Sequence, residues 1–102
     1  MRYYIYILYS LKFDKFYIGY TSDYENRFES QNTNSQNTFT SKYRPWIMKA
    51  IYLVGENKTE AIKIERFIKK QKSRMLLLKM IKDDFVPKGF LSQLVRVPHV
   101  RD

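Results

Sequence analysis

The chain has 102 residues, with Lys+Arg 19 against Asp+Glu 10, a formal net charge of +9 and 44% hydrophobic residues. A chain of this length buries one core, which excludes a two-domain enzyme. Cysteine is absent, so disulfides, Cys-ligated zinc and thiol nucleophiles are excluded, and the single His99 argues against a Ser-His-Asp triad. No apolar run approaches a membrane span, and we expect a cytoplasmic protein without a membrane partner.

The first half of the chain predicts a hairpin and a short helix. Two β-branched and aromatic runs, Tyr3–Tyr9 and Lys15–Tyr20, indicate paired strands. Residues Asp23–Gln31 favour a helix with Ser22 or Asp23 as its N-cap. The polar stretch Gln31–Thr38 is typical of a mobile loop.

The second half predicts one strand and two helices. A third strand, Trp46–Val54, follows Pro45, and Asn57 with Glu60 resembles a capping box for a helix from Lys58 to about Lys72. A further helix is expected over Arg74–Ile81. The prediction is an α+β fold in which a three-stranded antiparallel sheet is flanked by helices, with one domain over residues 1–82 and a mostly irregular tail over 83–102.

The faces of the hairpin depend on the length of its turn. If the turn is the four residues Ser10–Phe13, Tyr6 lies opposite Tyr17 and Tyr4 lies opposite Gly19. One face then carries tyrosines with a glycine gap that a ligand backbone could approach, and the other carries the core residues Ile5, Ile7, Phe16 and Ile18. A five-residue turn would separate Tyr6 from Tyr17, and composition does not choose between the two.

A basic segment and one acidic residue stand out in the predicted third helix. Positive charge is concentrated over Ile62–Lys82, which favours a nucleic-acid partner over a merely solvated helix face. Lys63, Arg66 and Lys70 share one helical face there. Glu65 lies at the border of the apolar stripe, where it could form an ion pair with Arg66 or Lys69 or act as a Mg²⁺ ligand.

Together these residues resemble the GIY-YIG nuclease superfamily, and its small stand-alone bacterial members most closely. The resemblance rests on Tyr4-Ile5-Tyr6, Tyr17-Ile18-Gly19, Arg27 and Glu65, in that order along the chain. It covers about residues 2 to 80. The segments Tyr43–Trp46 and Glu65–Lys69 also look like the single-domain members.

The resemblance implies cleavage of phosphodiesters that depends on Mg²⁺ or Mn²⁺. Tyr6 would correspond to the tyrosine that activates water, Tyr17 to that of the second motif, Arg27 to the phosphate-binding arginine and Glu65 to the metal ligand. Gln31 stands where many members carry a His that assists the tyrosine, and glutamine cannot accept a full proton. Tyr4 replaces the glycine of the first motif, and Lys42 matches a loosely defined basic position that would contact nucleic acid.

Three hypotheses follow for the function. The first is an endonuclease tolerant of sequence, because so small a domain has no separate reader of bases; DNA is favoured over RNA as its substrate. The second is a nucleic-acid-binding module that has lost efficient turnover. It is suggested by Gln31, which replaces the His of many members. A purely structural interaction protein explains neither the charge nor the set of Tyr, Arg and Glu.

Overall fold

A computed structural model describes residues 1–33 and 39–98. Its elements, in chain order, are β1 Tyr3–Ser10, β2 Lys15–Thr21, α1 Tyr24–Thr33, α2 Phe39–Lys42, β3 Ile47–Gly55, α3 Lys58–Gln71, α4 Arg74–Met80, a 3-10 turn Gly89–Leu91 and β4 Val95–Arg96. The α+β prediction and its N-terminal hairpin are confirmed. Of the expected loop Gln31–Thr38, the first three residues continue α1, and the remainder lies outside the described residues.

The sheet has four strands rather than the three predicted from the sequence. Its order is β2-β1-β3-β4, and all three pairings are antiparallel. The fourth strand is only Val95–Arg96, too short to leave a periodic signal. It is held by the Arg96 guanidinium, which donates to the carbonyl oxygens of Met80, Ile81 and Lys82 at the end of α4 and to that of Lys49 in β3.

The hairpin register differs by two positions from the predicted one. The turn is the four residues 11–14, so Tyr9 pairs with Phe16, Tyr6 with Gly19 and Leu8 with Tyr17. The prediction that Tyr6 lies opposite Tyr17, and Tyr4 opposite Gly19, is therefore wrong. Because a shift of two preserves parity, the side chains keep the predicted faces, and Tyr6 and Tyr17 still lie on the same one.

Both faces of the sheet are covered, which explains why Ile5 to Leu8 in β1 are all buried. One face, here called the α3 face, packs Ile5 and Ile7 against Ala61, Ile64 and Ile68 of α3. The other, the α1 face, packs Tyr6 and Leu8 with Trp46, Met48 and Ile51, beneath Tyr24 and Phe28 of α1. A functional site on this sheet therefore has to open at an edge or an end.

Local capping fixes the ends of the helices. Asn57 is the N-cap of α3 and its Oδ1 accepts from the Glu60 backbone N–H at 3.1 Å, as the capping box predicts. Ser73 caps α4 through the N–H of Leu76. Asp23 accepts from Asn26 N–H at the start of α1. Across residues 1–33 and 39–98, none of the helices combines the length and apolar character needed to cross a bilayer.

Candidate active site

A cleft of about 500 Å³ opens beside the hairpin, between the starts of α1 and α3. Tyr6, Tyr17, Arg27 and Glu65 all line it. These residues come from four different elements, so the fold brings together what the sequence separates by as many as 59 positions, from Tyr6 to Glu65. The cleft also includes Lys58 at the start of α3.

Tyr6 is held by its cross-strand partner Gly19. Tyr6 is 1% exposed, and a Cβ placed on Gly19 would lie 2.6 Å from Tyr6 Cζ and still closer to its hydroxyl oxygen. The ring therefore covers the backbone of Gly19, in the space that a side chain would fill. The predicted glycine gap is thus filled by Tyr6 itself, although Gly19 still lines the cleft.

Burial sets the protonation of Tyr6. It raises the pKa of the hydroxyl well above the ordinary value for tyrosine, and the nearby Tyr17 and Glu65 raise it further. Arg27 and a hydrogen bond from the Gln31 side chain lower that pKa but do not offset the effect of burial. In the free protein Tyr6 is therefore a neutral phenol at physiological pH.

Tyr17 and Glu65 share one cationic neighbour. The ammonium of Lys69 lies 5.4 Å from the centroid of the Tyr17 ring and 3.4 Å from Glu65 Oε2. The Glu65 side chain is 16% exposed, in agreement with its predicted place at the border of the apolar stripe. Within the described part of the chain, no three acidic, His or Cys residues cluster into a metal site. Glu65 is the single carboxylate among the predicted site residues.

Arg27 and Gln31 lie one turn apart on α1. Arg27 is exposed at the cleft, and among the described residues its guanidinium takes part in none of the ion pairs. Gln31 is 7% exposed beside the Tyr6 hydroxyl, and its Oε1 has no hydrogen-bond partner in residues 1–33 and 39–98. The Nε of Arg44 donates to the Gln31 carbonyl oxygen at 2.7 Å, which holds this turn of α1 in place.

Comparison with known families agrees with this geometry. The sequence-family model of the GIY-YIG catalytic domain matches residues 2–77, most of the 102-residue chain. The chain belongs to the GIY-YIG family. Members of this family are generally endonucleases, so membership implies nuclease-type activity on a nucleic acid. No curated protein matches the chain.

The predicted basic residues of this GIY-YIG domain lie apart from the cleft. Lys63, Arg66 and Lys70 are exposed on the side of α3 that faces away from the core, and they do not line the cleft. Lys42 is exposed in α2, with its ammonium 5.5 Å from the Tyr43 ring centroid. Their role in binding nucleic acid stays a prediction.

One basic residue of the GIY-YIG site, Lys58, was not identified from the sequence, whereas Lys69 was expected as a possible ion-pair partner of Glu65. Lys58 lines the cleft seven positions before Glu65, and Lys69 contacts Glu65 four positions after it. Both spacings place a side chain on the same side of a helix as Glu65. The seven-residue spacing from Glu65 could have identified Lys58, and the expected ion pair between Glu65 and Lys69 is confirmed.

Replacing Gly19 by alanine tests the packing of Tyr6. Because the added Cβ would overlap the buried ring of Tyr6, which must shift to accommodate it, we expect Gly19→Ala to lower the free energy of unfolding by about 1–3 kcal/mol. Urea denaturation measures this change. In a Tyr6→Leu background the cost should fall, since the overlapping ring atoms are gone; an equal cost in both backgrounds would contradict the proposed overlap.

Proposed function

We propose that this protein is a metal-dependent endonuclease that hydrolyses phosphodiesters at the cleft of Tyr6, Tyr17, Arg27 and Glu65. The observation that carries the proposal is the convergence of these four side chains on one cleft. Hydrolysis needs an activated water, positive charge near the phosphoryl oxygens and stabilisation of the leaving oxygen. Phenol, guanidinium and carboxylate are groups suited to these tasks.

In this proposal Tyr6 accepts a proton from the attacking water. Its raised pKa means that positive charge must approach before it can act as a base. Arg27 is one source of that charge and binds the phosphate, for which its planar fork of donors is suited. Gln31 then orients the Tyr6 hydroxyl through its amide but takes up no proton.

Glu65 is the residue that would hold a divalent cation, Mg²⁺ or Mn²⁺. A partly buried carboxylate on the wall of a polar cleft is suited to a hard cation, and a Mg²⁺ site with one carboxylate keeps several waters and uses substrate oxygens. When bound, the metal supplies positive charge that stabilises the phosphoryl oxygens. Lys69 pairs with Oε2 of the same carboxylate, so a cation held by Glu65 would share that carboxylate with the ammonium.

The proposed substrate is DNA in preference to RNA, and the proposed compartment is the cytoplasm. Lys63, Arg66 and Lys70 would contact the backbone outside the cleft, in addition to the cleft residues Arg27 and Lys58. Phosphate contacts of this kind position a strand without reading its sequence.

The second candidate is a binding module with the same fold and little turnover. The observation in its favour is Gln31, which lies beside Tyr6 where a proton acceptor would help. An unpaired buried carbonyl oxygen typically costs about 1–3 kcal/mol. In a binding module, this cost would remain at a site that has lost its proton acceptor.

Glu65→Gln tests the enzymatic proposal. We expect the wild type to cleave at least one member of a panel of single-stranded, duplex and branched DNA and RNA oligonucleotides when Mg²⁺ is added, and Glu65→Gln to lose about 10²-fold or more in single-turnover rate. Glu56→Gln is the matched control, because Glu56 is exposed and lies outside the cleft. Binding without cleavage across the whole panel would favour the binding module.

The pH dependence tests the role of Tyr6. Because its pKa is raised, the ionised fraction should grow about tenfold per pH unit between roughly pH 6 and 9, and the logarithm of the single-turnover rate should rise in parallel. Tyr6→Phe keeps the ring over Gly19 and should cost about 10²–10⁴-fold in rate. Tyr24→Phe is the control, and a Tyr6→Phe protein with the wild-type rate and slope would refute the assignment.

Gln31→His tests whether the site lacks a proton acceptor. Histidine can take up a proton near neutral pH, so we expect faster single-turnover cleavage than in the wild type without tighter substrate binding. Full general-base assistance is worth about 10²–10⁴-fold, which sets the upper limit of the gain. Gln31→Met fills a similar volume without an acceptor and should not be faster than the wild type. Equal rates for Gln31→His and the wild type would show that residue 31 does not assist Tyr6.

A further inference from the structure

The tip of the hairpin carries an aromatic residue, Phe13, that packs in neither core cluster and contacts the ring of Tyr43. Phe13, in the turn 11–14, is 40% exposed, and its ring lies edge-on to that of Tyr43 with the centroids 5.3 Å apart. Phe13 belongs to neither hydrophobic cluster of the described residues, whereas Tyr43 packs partly against the α1-face cluster. A large aromatic side chain at an exposed turn therefore needs an explanation other than folding.

Three lysines surround this pair. The Lys12 ammonium lies 5.5 Å from the Phe13 ring centroid, and those of Lys15 and Lys42 lie 5.6 Å and 5.5 Å from that of Tyr43. Among residues 1–33 and 39–98, no ion pair engages any of the three. We call Phe13, Tyr43 and these lysines the tip platform.

The acidic residue of the turn pairs mainly with residues outside the tip platform. Asp14 accepts a hydrogen bond from the Tyr9 hydroxyl at 2.6 Å and forms an ion pair with Arg74 of α4. Both partners lower the pKa of the Asp14 carboxyl, with the hydrogen bond from Tyr9 as the largest cause, and the charge of Lys15 makes a smaller contribution in the same direction. The tip platform thus presents aromatic rings with a positive rim, the combination with which proteins bind single-stranded nucleic acid.

The tip platform lies beside the cleft on the same face of the sheet. Lys15 and Tyr17 are two residues apart on β2, which places their side chains on one face and roughly 7 Å apart along the strand. The Tyr17 ring, which lines the cleft, is 6.1 Å from that of Trp46, three residues after Tyr43. A nucleic-acid strand bound at Tyr17 can therefore continue directly onto the tip platform.

We propose that the tip platform stacks an unpaired base of the substrate, next to the phosphodiester held in the cleft. This inference rests on the proposed nuclease function and specifies its substrate class as a nucleic acid with a single-stranded segment beside the cleavage position. The faces of a base inside a duplex are occupied by its neighbours, so only an unpaired base can stack on the exposed ring of Phe13. The lysines would contact the phosphates on either side of that base.

Binding without cleavage tests the tip platform directly. Fluorescence anisotropy would follow a labelled single-stranded oligothymidylate and a duplex of equal length, both in EDTA. We expect Phe13→Leu, which keeps an apolar side chain but removes the aromatic face, to weaken single-strand binding about 5- to 150-fold and to leave duplex binding within about twofold. Leu11→Ala is the matched control in the same turn, where Leu11 is 72% exposed, and it should change neither affinity.

A base analogue reports stacking at the tip platform itself. Oligonucleotides with a single 2-aminopurine at successive positions should lose fluorescence on binding at one or two positions, and Phe13→Leu should restore it there. Unchanged single-strand affinity in Phe13→Leu, or an equal loss on the duplex, would overturn the proposal. Self-association that depends on Phe13, with unchanged oligonucleotide binding, would assign the tip platform to a protein contact instead.

The proposal and the nuclease function can fail separately. A protein whose single-strand binding depends on Phe13, but which cleaves nothing with Mg²⁺, would retain the tip platform and refute the nuclease. Cleavage of both single-stranded and duplex substrates at rates and affinities that Phe13→Leu leaves unchanged would retain the nuclease and refute the tip platform.

Discussion

The packing of the Tyr6 ring over Gly19 is the interaction on which the site depends. This contact favours the observed register of the hairpin. In the register shifted by two residues, Tyr6 would lie opposite Tyr17 instead of Gly19. The contact also buries the phenol under α1 and directs its hydroxyl to the cleft. The same burial raises the pKa of that hydroxyl, so one contact determines the position of the reactive group and the amount of positive charge it needs in order to react.

The cleft lies where the two faces of the sheet meet. Tyr6 and Tyr17 belong to the α1 face and Glu65 to a helix that packs on the opposite face. They converge because β2 is an edge strand, around which Lys69 of α3 reaches the Tyr17 ring. If another strand paired with the free edge of β2, it would lie between the Tyr17 ring and α3. The position of β2 at the edge of the sheet therefore allows these residues to meet.

Much of the fold follows from local patterns, and the differences have identifiable causes. Alternation determines which residues share a face within β1 and within β2, because parity is local to a strand, but the shared face of Tyr6 and Tyr17 also depends on the four-residue turn, which composition left open. The register was wrong because it depends on the Tyr6–Gly19 fit, which is a contact between strands. Strand β4 was missed because hydrogen bonds from the Arg96 side chain, rather than strand periodicity, hold it. Lys58 was overlooked although its helical spacing from Glu65 is visible in the sequence, whereas the pairing of Lys69 with Glu65 was anticipated from that spacing.

The side chain of Asn32 at the end of α1 forms two hydrogen bonds with the backbone of Trp46, just before β3. The Asn32 amide donates to the Trp46 carbonyl oxygen at 3.1 Å and accepts from the Trp46 N–H at 2.7 Å, the pair of bonds that a neighbouring strand would make. The Trp46 indole donates in turn to the Thr40 carbonyl oxygen at 2.7 Å. Both flanks of the polar segment 34–38 are therefore anchored to the same tryptophan. Gln31, beside the Tyr6 hydroxyl, directly precedes Asn32, and Tyr43 of the tip platform lies three residues before Trp46, so these two hydrogen bonds couple the position of the cleft to that of the tip platform.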